Sequence, residues 1–187
     1  MSLIERSGDA IVIDANEAEV AALESLVHQL MSILGADQVP PASDDPFAAW
    51  EAELSLDQLD TSDPVIARLF PRAYADDAAD ADFRRFTEGA QRRSRIDRAR
   101  VVEAGLRATD SGTEPIRIPD AELSDWLMTL NAIRLSLSVR LGIETAADAE
   151  RLDQELDRVE LAVDQRALVY GVYQWLGHLL EWLIELS

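Results

Sequence analysis

The stretch LSDWLMTLNAIRLSLSVRLG, residues 123–142, decides the fold class. Leu123, Trp126, Leu127, Leu130, Ile133, Leu137 and Leu141 recur at steps of three and four, which places them on one face of an α-helix. Asp120 stands before it as an N-cap and Gly142 after it as a stop. An apolar stripe this broad has to be buried, so the segment reads as a central helix with others packed around it.

Working downstream, Thr145 and Asp148 form a capping box, and Leu152, Leu156, Val159 and Val163 continue at heptad spacing. The last segment, LVYGVYQWLGHLLEWLIEL (168–186), has the length of a membrane span. Gln174, His178, Glu181 and Glu185, however, form one polar helical stripe, and carboxylates are costly in lipid. The segment therefore reads as an amphipathic helix with a wide apolar face. Trp175, Leu179, Trp182 and Leu183 on that face are the expected seam of a homodimer.

Upstream, residues 109–119 form a connector that ends in the β-like IRI, 116–118. It can pair with the β-branched run 11–13, whose turn chemistry at Ser7, Gly8 and Asp9 suggests a small hairpin over 4–13. A first helix starts at Asn16 with Glu19 three places on, shows Val20, Leu23, Val27, Leu30 and Leu34, and closes at Gly35. Residues 36–46 are a proline-rich loop, and 47–59 a short helix capped by Asp44 or Asp45. Asp63 and Pro64 start another helix, which Pro71 ends. Gly89 allows a break, after which 91–108 is helical with Ile96, Ala99, Val102 and Leu106 inward. The sum is one all-α domain, 1–187, a compact bundle of six to seven helices with a two-strand or hairpin fragment.

Composition excludes much chemistry. The 187 residues contain no cysteine, which removes disulfides, thiolate metal sites and cysteine nucleophiles. All 17 basic residues are arginine, so lysine-dependent chemistry is absent too. Against them stand 36 acids, for a formal net charge of −19, which repels nucleic acid and anionic lipid. The first residues turn acidic within five positions, unlike a secretory signal, and this predicts a cytoplasmic protein. The charge is unevenly laid out. Residues 7–67 carry thirteen acids and no arginine, whereas 84–107 hold eight arginines against Glu88, Asp97 and Glu103. That block reads first as internal pairing with nearby carboxylates, then as a face for a protein partner, and least as a DNA-binding surface over 92–107.

No catalytic constellation emerges. His28 and His178 lie outside any metal-ligand spacing, and no nucleophile elbow occurs. Asp76, Asp77, Asp80 and Asp82 lack the glycine and terminal Glu of a calcium loop and read as capping and solvation. Trp50, Trp126, Trp175 and Trp182 read as packing residues. No catalytic residue, metal or cofactor is therefore expected.

Three segments, 63–88, 126–143 and 172–186, carry a resemblance. The elements PxAYxDD (71–77), FRRxTE (83–88) and LNxxRLxLxxRLG (130–142) resemble the actinobacterial proteins grouped as domain of unknown function twenty-seventeen, over nearly the whole chain. Where the family pattern has Asp after LN and Gly before the second Arg, this chain has Ala132 and Ser138. The lysine-free, alanine-rich composition fits a high-GC actinobacterial source. The resemblance implies no assigned activity or cofactor. The family's genes commonly neighbour that of the adaptor that delivers substrates to the Clp protease, which implies a partner in proteolysis. Within the shared elements, Arg84, Arg85, Arg134 and Arg140 are the expected anchors of charge pairs; for Arg134 and Arg140, in a helix otherwise apolar, an unpaired charge is expensive, and Asp76, Asp77 or Asp82 are the nearest carboxylates by motif. The expectation is a non-enzymatic interaction or regulatory protein. The alternatives are a small acidic-ligand protein or enzyme with an Arg/Asp site, and a DNA-binding regulator.

Overall fold

Gly8, at φ 65°, turns the chain between β1 (Leu3–Ser7) and β2 (Ala10–Asp14), with Ser7 opposite Ala10 and Ile4 opposite Ile13. On the other edge of β2 lies β3 (Ile116–Pro119), antiparallel, with Ile11 opposite Ile118 and Ile13 opposite Ile116. The β-branched runs therefore do pair, into a three-stranded sheet of order β1-β2-β3. Strand alternation turns Ile11, Ile13, Ile116 and Ile118 into the core and leaves Arg117 outside. These observations come from a computed structural model that describes residues 3–39, 45, 47–48, 51, 56–156 and 165–187.

Six helices complete the described fold: α1 (Glu17–Ile33), α2 (Pro64–Leu69), α3 (Asp77–Arg107), α4 (Leu123–Leu141), α5 (Ala146–Leu156) and α6 (Gln165–Glu185). The bundle expected from periodicity is present, and most of its capping is too. Asn16 and Glu19 make both bonds of a capping box, Asp63 caps α2 ahead of Pro64, and Thr145 and Asp148 bond reciprocally before α5. Gly142 closes α4 in the left-handed region, at φ 72°.

Two expectations are corrected. Gly89 does not break the chain, because α3 runs unbroken for 31 residues with Glu88 and Arg92 buried on either side of it. A single glycine costs a helix only about 1 kcal/mol, which packing on both sides overrides. Asp120 is not the cap of α4: Glu122 holds that position without a side-chain bond, and Asp120 reaches back to Arg6 at 2.8 Å. The helix expected over 47–59 falls largely outside the described residues, as do Asp44, Trp50, Val159 and Val163.

α4 is the central element, packed against α1, α2, α3, α6 and β3. Trp126 in its first turns has no exposed surface and lies where Gly105 of α3 leaves room; a Cβ at Gly105 would sit 2.6 Å from its ring. α5 contributes a smaller cluster, in which Leu152 and Leu156 meet Leu141, Ile143, Ala167 and Tyr170. On α6 the apolar stripe is taken up by the chain's own core. Leu179 is 3% exposed and Leu183 fully buried, so neither is free to form a dimer seam, while Trp175 and Trp182 stay half-buried.

Candidate functional site

The arginine block of α3 is spent largely on the protein itself. Arg84 pairs with Glu88 one turn on and also donates to the Leu59 carbonyl, while Glu88 accepts from the Leu59 amide at 2.6 Å. Arg92, 1% exposed, donates to the carbonyls of Leu34, Gly35 and Asp57 and to Gln38 Oε1. Burial lowers its pKa, opposed by Glu88, Asp37 and Asp57. Arg95 donates to the Leu69 carbonyl at 2.8 Å and lies over Phe70. Arg98, Arg100 and Arg107 pair with Asp125, Asp97 and Glu103. The first reading of the block, internal pairing, is what the fold displays.

The PxAYxDD element is a turn held by its own charges. Asp76 caps α3 by accepting from the Ala79 amide at 2.9 Å, and Asp77 pairs with Arg72 at 2.6 Å. Asp80 is buried and accepts from the amides of Ala73 and Tyr74, with Arg72 beside it. Its burial raises the carboxyl pKa, but those two amides with Arg72 and Arg84 outweigh it, leaving it below the ordinary value. A cleft of about 430 Å³ brings Arg72, Asp77, Asp80 and Arg84 together. Since Arg72 and Arg84 are both paired there, it offers a ligand little unspent charge.

The remaining expected anchors separate. Arg85 is exposed and lies over the Phe86 ring at 5.7 Å. Arg140 donates to Gln29 Oε1 at 3.2 Å, on the α1 side of α4. Arg134 lies over Tyr173 of α6, 4.5 Å from the ring centre, and its buried Nε makes no hydrogen bond. The expected pairing of Arg134 and Arg140 with Asp76, Asp77 or Asp82 is thus replaced by other partners, while Arg84 does anchor a charge pair, with Glu88. Helical spacing turns residues 134 and 140 towards different neighbours of α4, while Asp76 is spent on capping and Asp77 on Arg72.

Arg134 lines a cleft of about 550 Å³ where α4 and α6 meet the start of α5. Arg68, Glu150, Tyr173, Gly177 and Glu181 share its walls. Gly177 is what admits the guanidinium: a Cβ there would lie 3.3 Å from Arg134 Nε. Arg134 is legible in the sequence, and its surroundings are not. The one sign of them was a glycine inside WLGHLL, a helix otherwise built of large side chains.

His28 pairs with Glu103 at 2.9 Å, and His178 lies tilted beside Trp182. Among the described residues no three His, Asp or Glu side chains gather as a metal site, and no helix is long and apolar enough to cross a membrane. No curated protein and no solved structure matches the chain. A family match does extend over residues 1–187, and the chain belongs to the family described as domain of unknown function (DUF2017).

Proposed function

We propose that the chain is a non-enzymatic, cytoplasmic interaction module, with its partner face at the two family elements that open α3. The observation that carries this is a contiguous aromatic patch. Tyr74 and Phe83 meet edge to face at 5.7 Å, Phe86 follows one turn on at 60% exposure, and Arg85 covers its ring. The same segments spend their charges inward, on Asp80 and on the Arg84–Glu88 pair. Tyr, Phe and Arg are the residue types enriched in protein interfaces, and large aromatics left in water form binding anchors. The partner is a protein with an apolar pocket, and the family's gene neighbourhood favours a component of Clp-type proteolysis.

The test is binding of purified Clp adaptor and unfoldase to the full chain, and to a Phe83→Ser/Phe86→Ser variant, by interferometry. Micromolar binding by the wild type, lost in the variant at an unchanged melting temperature, supports the reading. Absence of binding, or equal binding by both, overturns it. The homodimer remains part of this proposal. With Leu179 and Leu183 buried, the half-buried Trp175 and Trp182 with the exposed Leu168, spaced seven apart on one face of α6, would have to carry it.

A further inference from the structure

The α4–α6 cleft differs from the other charged regions of the molecule in that its charges are left over. Arg134 is held on one side by the Tyr173 ring and on the other by the space that Gly177 provides. Its plane is therefore set before anything binds, and its Nε is a buried donor without an acceptor. Cation–π contact steadies a guanidinium but does not satisfy its N–H groups, which prefer a planar carboxylate in a forked arrangement. Among the described residues no carboxylate pairs with Arg134, although Glu150 and Glu181 line the same cleft, and those two carboxylates are themselves without an arginine partner.

Unpaired charges of both signs in one cavity, held apart from one another, select a ligand that carries both. A polyanion is disfavoured by the three glutamates of its walls, Glu144, Glu150 and Glu181, and by the −19 of the whole chain. A simple cation would leave the Arg134 donor unmet. The volume, about 550 Å³, lies in the range of small-molecule sites. We propose that this cleft binds a small zwitterion of the α-amino-acid class, its carboxylate on the Arg134 guanidinium and its ammonium facing Glu150 and Glu181. The site is separate from the aromatic patch and stands or falls independently of it.

The experiment is a titration of the full chain, followed by the Gly177 backbone amide and the Arg134 Nε–H resonance. The probes are L-alanine, L-glutamine and L-leucine, with sodium acetate and ethylammonium chloride as half-ligands at matched ionic strength. The expected result is a saturable shift at both resonances with at least one amino acid, at a Kd of about 1 mM or tighter. Each half-ligand should bind at least about tenfold more weakly, because it leaves one set of charges unmet. Arg134→Gln should abolish the shift at Gly177. Should that variant fold poorly, Gly177→Ala keeps the charge, presses on the guanidinium and should weaken binding without changing the circular dichroism spectrum. Glu181→Gln should weaken amino-acid binding and leave that of acetate unchanged. No saturable shift with any of the three amino acids, binding that survives both Arg134→Gln and Gly177→Ala, or acetate binding as tight as theirs would each overturn the proposal.

Discussion

Replacing Arg92 by methionine should destabilise the protein by about 3 kcal/mol. The side chain is 1% exposed and bridges three parts of the molecule, donating to the Leu34 and Gly35 carbonyls at the end of α1, to Gln38 and to the Asp57 carbonyl. Methionine fills most of the stem's volume, so cavity formation is a small part of the loss. What goes is the donor to three backbone carbonyls, and a partly buried acceptor left without one costs about 1 kcal/mol or more. Three such groups give about 3 kcal/mol. For a chain of this size that corresponds to a fall in Tm of about 6–12 °C. Urea denaturation followed by tryptophan fluorescence checks it: the midpoint should fall with the slope unchanged. Arg92→Lys supplies one ammonium in place of the fork and should recover part of the loss. If Arg92→Met stays within about 0.5 kcal/mol of wild type, water replaces the guanidinium without penalty and the bridging role is refuted.

Three more outcomes are expected. Asp148 is held at a pKa of about 2, chiefly by hydrogen bonds from the Thr145 side chain and amide, then from the Glu144 amide. A carboxyl depressed in the folded state stabilises the protein above the unfolded pKa and loses that contribution as pH falls through the folded one. The capping box should therefore hold above about pH 4 and weaken towards pH 2; a carboxyl carbon titrating near 4 by NMR would contradict this. Leu183→Asp places a carboxylate at a fully buried position and should lose about 4 kcal/mol or fail to fold, whereas Ile184→Glu, at a site 60% exposed, should stay within about 0.5 kcal/mol by thermal melting. Gly105→Ala would put a methyl 2.6 Å from the Trp126 ring and should cost about 1–3 kcal/mol of overpacking, offset by about 1 kcal/mol of helix propensity. A variant clearly more stable than wild type would show that Trp126 can move aside.

The helices were legible wherever periodicity and caps agreed. Asn16 with Glu19, Asp63 with Pro64, and Thr145 with Asp148 act locally, within four residues, and so survive into the fold unchanged. Even the pairing of residues 11–13 with 116–118 could be read, because two short β-branched runs in a helical chain have few other partners. The misreadings share one cause. Gly89 as a break, Asp120 as a cap and Leu179 with Leu183 as a dimer seam each follow from local chemistry or apolarity alone. Neighbours remote in sequence decided each of them: the packing of α3 against α1 and α4, the Arg6 guanidinium, and the core face that α4 covers.

The arginines mark the same boundary more sharply. Composition and periodicity by themselves determined a lysine-free, acidic, helical chain with an arginine-rich block over 84–107, since net charge and helical phase are properties of the string. Which guanidinium meets which acceptor is a matter of a few ångströms between segments far apart in the chain. That distance exists only once the helices have packed. Arg84 and Arg134 each stand in a family element, Arg84 among acids and a second arginine, Arg134 among largely apolar neighbours. Tertiary structure closes Arg84 onto Glu88 one turn away, and it leaves Arg134 stacked on Tyr173 with an unmet donor, because Gly177 on the facing helix makes room for the guanidinium and brings no carboxylate to it.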